Sequence, residues 1–109
     1  MRILFDNGTP KQIAAFLTAH QITRADQLGW GALENGELIA KAESQGYELF
    51  LSTDKNIKYQ QDLMKRKIAI VVLGNQNWPL VRPYLEQIAA AVNAAKPGSF
   101  TEVAIPFRQ

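Results

Sequence analysis

Three stretches of the chain are apolar without alternation: Ile3-Leu4-Phe5, Leu49-Phe50-Leu51 and Ile68-Ala69-Ile70-Val71-Val72-Leu73. A strand with one wet face alternates apolar and polar residues. Short unbroken runs therefore read as strands covered on both faces, as in a parallel sheet between helices. The third run is the strongest, being continuous and rich in β-branched residues. Between the runs the apolar period lengthens to three and four. Thr9-Pro10 predicts a helix start, with Ile13, Phe16 and Leu17 on one stripe and an end near His20. Leu38, Ile39 and Ala42 predict a helix over about 36–45, capped by Asn35 and closed by Gly46 in the left-handed conformation. Leu80, Val81, Tyr84, Leu85, Ile88, Ala89 and Val92 form the clearest amphipathic stripe. Pro83 requires that helix to begin near 79 or 80, and Pro97-Gly98 stops it. Weaker patterns predict a brief strand at Ile22-Thr23, a helical turn over Asp26 to Trp30, a short helix or ordered loop after Asp54, and a last strand over Phe100 to Ile105. The alternation of strands and helices predicts an α/β fold with three α/β/α layers around a parallel sheet of four or five strands, in one domain spanning 1–109. Crossovers between parallel strands are right-handed in nearly all cases, which gathers strand ends at one edge.

Two of the apolar runs stop at a carboxylate. Ile3-Leu4-Phe5 ends on Asp6, followed by the turn pair Asn7-Gly8, and Leu49-Phe50-Leu51-Ser52-Thr53 ends on Asp54. In open parallel sheets the carboxyl edge is where ligands bind, so both aspartates are expected at the functional edge. Glu37 lies in the first turn of a helix whose preceding loop should open on the same side. Three hard oxygen donors in one crevice suit Mg²⁺ or Mn²⁺, which take a few carboxylates and complete their shell with water and phosphate oxygens. A phosphodiester is the substrate that such an ion would serve. Each residue also has a purely structural reading: Asp6 as a turn former, Glu37 as partner of a helix dipole and Asp54 as a cap.

Composition narrows the class without naming a partner. At 109 residues, 47% apolar and 20% charged, the chain is an ordinary globular domain, and its apolar runs are too short to span a bilayer. No leader is visible, so no membrane association is expected. The absence of cysteine excludes disulfides and thiolate chemistry and makes a reducing cytoplasm the default location. A net charge of +2 permits an anionic partner without requiring one. Clustering is more telling: Lys55, Lys58, Lys65, Arg66 and Lys67 follow Asp54, with Tyr59 among them, and could grip a nucleic-acid backbone while the ring stacks on a base. A solvated charged face is the plainer account. Gln60 and Gln61 could order a phosphate or cap a turn. His20 has no partner histidine, and Trp30 and Trp78 fit core or interface roles.

Ile3-Leu4-Phe5-Asp6, Asn35-Gly36-Glu37-Leu38 with Ala42-Glu43 before Gly46, and Leu51-Ser52-Thr53-Asp54-Lys55-Asn56 together resemble the PIN-like nuclease superfamily, and within it the short branch predicted to act as toxins of toxin-antitoxin pairs. Gly29-Trp30, Asn56-Ile57-Lys58-Tyr59-Gln60-Gln61 and Ile68 to Leu73 resemble a bacterial subgroup of that branch. The resemblance implies a divalent-metal endoribonuclease acting on single-stranded RNA. Asp6, Glu37 and Asp54 would be its catalytic and metal-binding acids, Asn56 an assisting ligand, and Asn7, Asn35, Lys55, Lys58, Tyr59 and Gln60 its substrate contacts. It also implies an antitoxin partner; a homodimer through the aromatic loops is compatible with the sequence. Two departures stand out. Asn56 occupies the place of a usual fourth acid, and Asn35 stands where many short relatives carry an acid. A binding module that has lost the chemistry, or more remotely a phospho-accepting receiver domain with Asp54 as acceptor, fits the same skeleton. The receiver reading lacks the paired acids after the first strand, the hydroxyl after the fourth and the lysine after the fifth.

Overall fold

The computed structural model describes residues 1–59 and 66–106, the side chains of Lys58 and Tyr59 excepted. Five strands form a single all-parallel sheet: β1 (Arg2–Phe5), β2 (Gln21–Arg24), β3 (Leu49–Ser52), β4 (Ala69–Leu73) and β5 (Phe100–Val103), in the spatial order β2-β1-β3-β4-β5. Among the described residues three α-helices accompany them: α1 (Asn35–Ser44), the short α2 (Trp78–Val81) and α3 (Leu85–Ala94). The unbroken apolar runs occupy the centre of the sheet, where every residue of β3 and β4 is buried. Strands β2 and β5 carry more polar, half-exposed residues and form the edges.

The two-residue period of the strands divides the core into two layers. Ile3, Phe5, Leu49, Leu51, Val71 and Leu73 face one side, where they meet Ile13, Leu17, Val81, Ile88 and Val92. Leu4, Phe50, Ile70 and Val72 face the other, where they meet Leu38, Ile39 and Ala42 of α1, together with Ala25 and Ile57. The arrangement is the expected α/β class with helical segments on both faces of the sheet. Among the described residues, no helix is long and apolar enough to cross a membrane.

Several connections differ from expectation. The segment after Pro10 is a 3₁₀ helix, Lys11–Phe16, rather than an α-helix reaching His20. It must retrace a four-residue strand, about 13 Å at 3.3 Å per residue. Six 3₁₀ residues rise about 12 Å, a span for which an α-helix needs about eight. Thr9 does not cap it; its hydroxyl donates to the Leu51 carbonyl at 3.1 Å. Helix α1 begins one residue before the predicted range, with Glu34 rather than Asn35 in the capping position and no side-chain cap bond. Gly46 does adopt the left-handed conformation, with φ of 86°. The long C-terminal helix is split at Pro83 into α2, a 3₁₀ turn over Arg82–Tyr84 and α3. Proline has no N–H to donate and clashes with the preceding turn, so a continuous helix is not maintained there.

The crossovers do not share one hand. The β1-to-β2 and β4-to-β5 steps run in opposite directions across the sheet, yet both connecting segments pack on the same face. One of the two therefore departs from the right-handed rule. All strands still end at a common edge. There the chain leaves β1 toward one face and β3 toward the other, carrying Ile13 and Ile57 into separate core layers. In this strand order, such a divergence between β1 and β3 opens a crevice.

Candidate functional site

Asp6 and Ser52 are the next residues after Phe5 and Leu51, which pair across β1 and β3. Strand alternation directs both side chains to the α1 face. The Ser52 hydroxyl is fully buried and donates to Asp6 Oδ2 at 2.7 Å. Its oxygen accepts the Asp54 backbone N–H at 3.0 Å. One serine thus ties the carboxylate that ends β1 to the backbone of the aspartate that follows β3. The second oxygen of Asp6 accepts the Asn7 N–H at 2.8 Å, and the Thr9 N–H closes a turn on the Asp6 carbonyl at 3.0 Å. Asp54 Oδ1 accepts the Asn56 N–H at 2.9 Å and so caps the 3₁₀ helix Lys55–Tyr59. Both aspartates fulfil their structural readings while remaining only half-buried.

The amino end of α1 lies across from Asp54. Asn35 donates its side-chain N–H to Asp54 Oδ2 at 2.6 Å, so the chain Asp6, Ser52, Asp54, Asn35 is continuous. An open cleft of about 550 Å³ is lined by Leu33, Glu34, Asn35, Gly36, Glu37 and Asp54. Three acidic residues, Glu34, Glu37 and Asp54, therefore line one space; Asp6 is not part of its lining and is linked to Asp54 through Ser52. Among the described residues, no three acidic, histidine or cysteine side chains are gathered as a ready-made metal ligand set. Mg²⁺ commonly uses one or two protein carboxylates and fills its shell with water and substrate phosphate. The donor chemistry and openness of this cleft fit a hydrated ion of that kind, rather than a dedicated protein cage.

The remaining predicted residues are distributed around the same edge. Asn7 is exposed and spends its amide N–H on the Gly31 carbonyl at 2.6 Å, pinning the Trp30 loop beside the site. Asn56 and Lys55 are exposed on the turn after Asp54. Lys58 and Tyr59 continue that turn, but their side chains, like Gln60, Gln61 and Lys65, lie outside the described residues. Arg66 and Lys67 sit elsewhere, before β4, where the Lys67 N–H is held by Glu43 at 3.0 Å. Trp30 packs on the α1 core layer, edge-on to Tyr47, with Lys41 over its ring; Trp78 packs on the opposite layer. His20 bonds Asn93 Oδ1 at 2.7 Å, far from the cleft in sheet terms, since it precedes the amino end of β2. At Gly8 a Cβ would lie 2.9 Å from Thr53 Oγ1 and 3.0 Å from Gln76 Oε1, so a larger residue there would displace one or both of these side chains.

Two site residues, Ser52 and Glu34, are absent from the sequence expectation. Ser52 ends an apolar run and looks like a strand terminus. The sign that it does more is its spacing of two from Asp54, which on a strand means the same face. Glu34 lies in a loop, and only the observed start of α1 brings it to the cleft wall. No protein-family model matches the chain, and no curated protein or solved structure is significantly similar to it.

Proposed function

We propose that the protein is a metal-dependent endoribonuclease of PIN-like type that hydrolyses single-stranded RNA at the cleft between β3 and α1. What supports this reading is the hydrogen-bonded chain joining Asp6, Ser52, Asp54 and Asn35 at the carboxyl edge of a parallel sheet, with Glu34 and Glu37 on the same open cleft. Asp54, Glu37 and Asp6 are the residues that would hold Mg²⁺ or Mn²⁺, Asn56 offering a neutral oxygen at most. A bound ion supplies acidification of water and charge neutralisation at the phosphate. The chain's own groups prepare that chemistry. Ser52 orients the Asp6 carboxylate, Asn35 and the Asn56 N–H orient Asp54, and Lys55 on the adjoining turn raises the local concentration of a polyanion. The same proposal places the protein in the cytoplasm as the toxin of a toxin-antitoxin pair, checked by whether the product of the adjoining gene binds it and suppresses cleavage.

The test is cleavage of a fluorescently labelled single-stranded RNA. Cutting is expected with Mn²⁺ or Mg²⁺ and is expected to vanish on chelation. Because the ion would complete its shell with phosphate oxygens, Mn²⁺ should bind more tightly when a non-cleavable RNA analogue is present, read by calorimetry. RNA left intact at millimolar Mn²⁺ would overturn the assignment. A second reading, an RNA-binding module without chemistry, is favoured by the neutral Asn56. RNA binding with no cutting in the presence of either metal would select it.

Asn35 offers a graded check. In Asn35→Asp a carboxylate replaces the amide that now donates to Asp54. Mn²⁺ affinity is expected to rise about tenfold, equivalent to about 1.4 kcal/mol. In metal-free buffer the same variant should lose about 1 kcal/mol of stability, because a bond to a half-exposed carboxylate becomes a repulsion. Calorimetry and thermal melting read the two opposite effects.

A further inference from the structure

The cleft is lined by acids and by no cation, so a polyanion laid across it needs a positive anchor on its flank. Such an anchor lies at the same edge of the sheet. Arg24, the last residue of β2, pairs with Phe5, the residue before Asp6. Ile22 packs on the α3 core layer, and strand alternation sends Arg24 to that same face. There it lines a groove of about 310 Å³ together with Lys11, Ala14, Ile22 and Gln27, a lining with two cations and no carboxylate. Neither cation is fully engaged. Lys11 is exposed, and among the described residues it makes no ion pair or side-chain hydrogen bond. Arg24 meets Asp26 at 3.4 Å through Nε without forming a hydrogen bond. That Nε is shut from solvent with no acceptor, and the two Nη groups have none either among the described residues. A buried donor without a partner is rare enough to call for an acceptor. Asp26 is 61% exposed, so water screens its hold on the guanidinium.

We infer that this groove holds a backbone phosphate of the RNA strand whose reacting linkage lies in the cleft. The inference rests on the nuclease reading and adds a subsite to it. The planar fork of arginine matches two phosphate oxygens, and lysine adds a point charge beside it. Gln27, whose Oε1 accepts the Arg24 N–H at 3.0 Å, keeps its amide N–H groups as further donors. Neighbouring strands lie about 4.8 Å apart, so β2 ends about 10 Å from β3, a span that a short run of nucleotides bridges over the end of β1. Phosphate contacts fix the position of a strand without reading its bases. The groove therefore sets where the strand lies and leaves the choice of sequence to other contacts.

Binding of a short labelled single-stranded RNA to the full chain, followed by anisotropy in chelator so that nothing is cut, tests this. Lys11→Gln and Arg24→Gln should each weaken binding by about fivefold in about 0.1 M salt. Each should also lower the slope of log affinity against log salt by about 0.7, and the double variant by about 1.4, because fewer counterions are released from the strand. The loss should be the same for unrelated RNA sequences. Asp26→Asn, which removes the competing carboxylate, should tighten binding. Lys96→Gln, exposed after α3 and near the amino end of β5, should leave the slope unchanged. Melting curves confirm folding of each variant. A chain that binds RNA with a slope indifferent to Lys11 and Arg24 overturns the groove and leaves the cleft standing, whereas a chain that neither binds nor cuts RNA removes both. A loss confined to one sequence overturns the phosphate contact, and an equal loss in Lys96→Gln reduces the effect to net charge and overturns it too. A saturable rise in melting temperature with inorganic phosphate alone, abolished by Arg24→Gln, assigns the groove to a free phosphate and overturns the contact with a strand.

Discussion

Asp54→Asn is expected to reduce Mn²⁺-dependent RNA cleavage by about 10²-fold or more while leaving the fold in place. A metal-centred site stabilises transition-state charge by several kcal/mol, and each 1.36 kcal/mol corresponds to about tenfold in rate. Removing one of the few acids on the cleft removes a large share of that stabilisation. The structural cost is small. The amide oxygen of the new side chain can still accept the Asn56 N–H, and its NH₂ would face the Asn35 NH₂ unless Asn35 turns its amide over. That rotation presents an oxygen to the new donor, so the melting temperature should fall by no more than corresponds to about 1 kcal/mol. Cleavage assays beside thermal melts separate the two effects. Full activity in this variant would falsify the placement of the site.

Ser52→Ala is expected to have the largest effect on stability among the cleft substitutions, and an effect on activity as well. Ser52 is wholly buried and makes one bond as donor and one as acceptor, both at the centre of the site. Alanine strands the Asp54 N–H and frees one oxygen of Asp6. Asp6 is half-exposed and recovers part of the loss from water, so the net cost should be about 2 kcal/mol, on the order of 10 °C in a domain of this length. Residues that orient metal-binding groups typically change activity by about 10- to 100-fold. Cleavage measured well below the melting temperature should therefore drop by about that factor. A loss of stability with no loss of rate would reduce Ser52 to a structural residue.

The central strands were readable because burial on both faces leaves an unmistakable composition, as in Leu49-Phe50-Leu51. Strand β2 was readable only as a gap in a rhythm, since Gln21 and Arg24 belong to an edge that water reaches and no apolar run marks it. The stripe Ile13, Phe16, Leu17 pointed to an α-helix because spacing does not report the distance a crossover must cover. Phe16 consequently lies outside the core despite its place on that stripe. At the carboxyl edge, the strand ends point to both aspartates, whereas local sequence marks Asn35 only as a cap, its place among the substrate contacts coming from the resemblance alone. Its actual bond to Asp54 joins positions 19 residues apart. No local rule anticipates a contact set by how α1 is laid over β3.

Strand β1, though first in the chain, is interior to the sheet, and its second neighbour is residues 49–52. On the ribosome it can pair with β2 soon after residue 24 emerges, but its other edge stays bare until β3 has been made. Long-range parallel pairing of this kind forms slowly, because the chain must close a large loop before the contact repays it. Asp6 follows β1 and Asp54 follows β3, so a nascent chain that has not reached Asp54 has both an unfinished sheet and an incomplete acidic edge, and the two are completed by one and the same pairing.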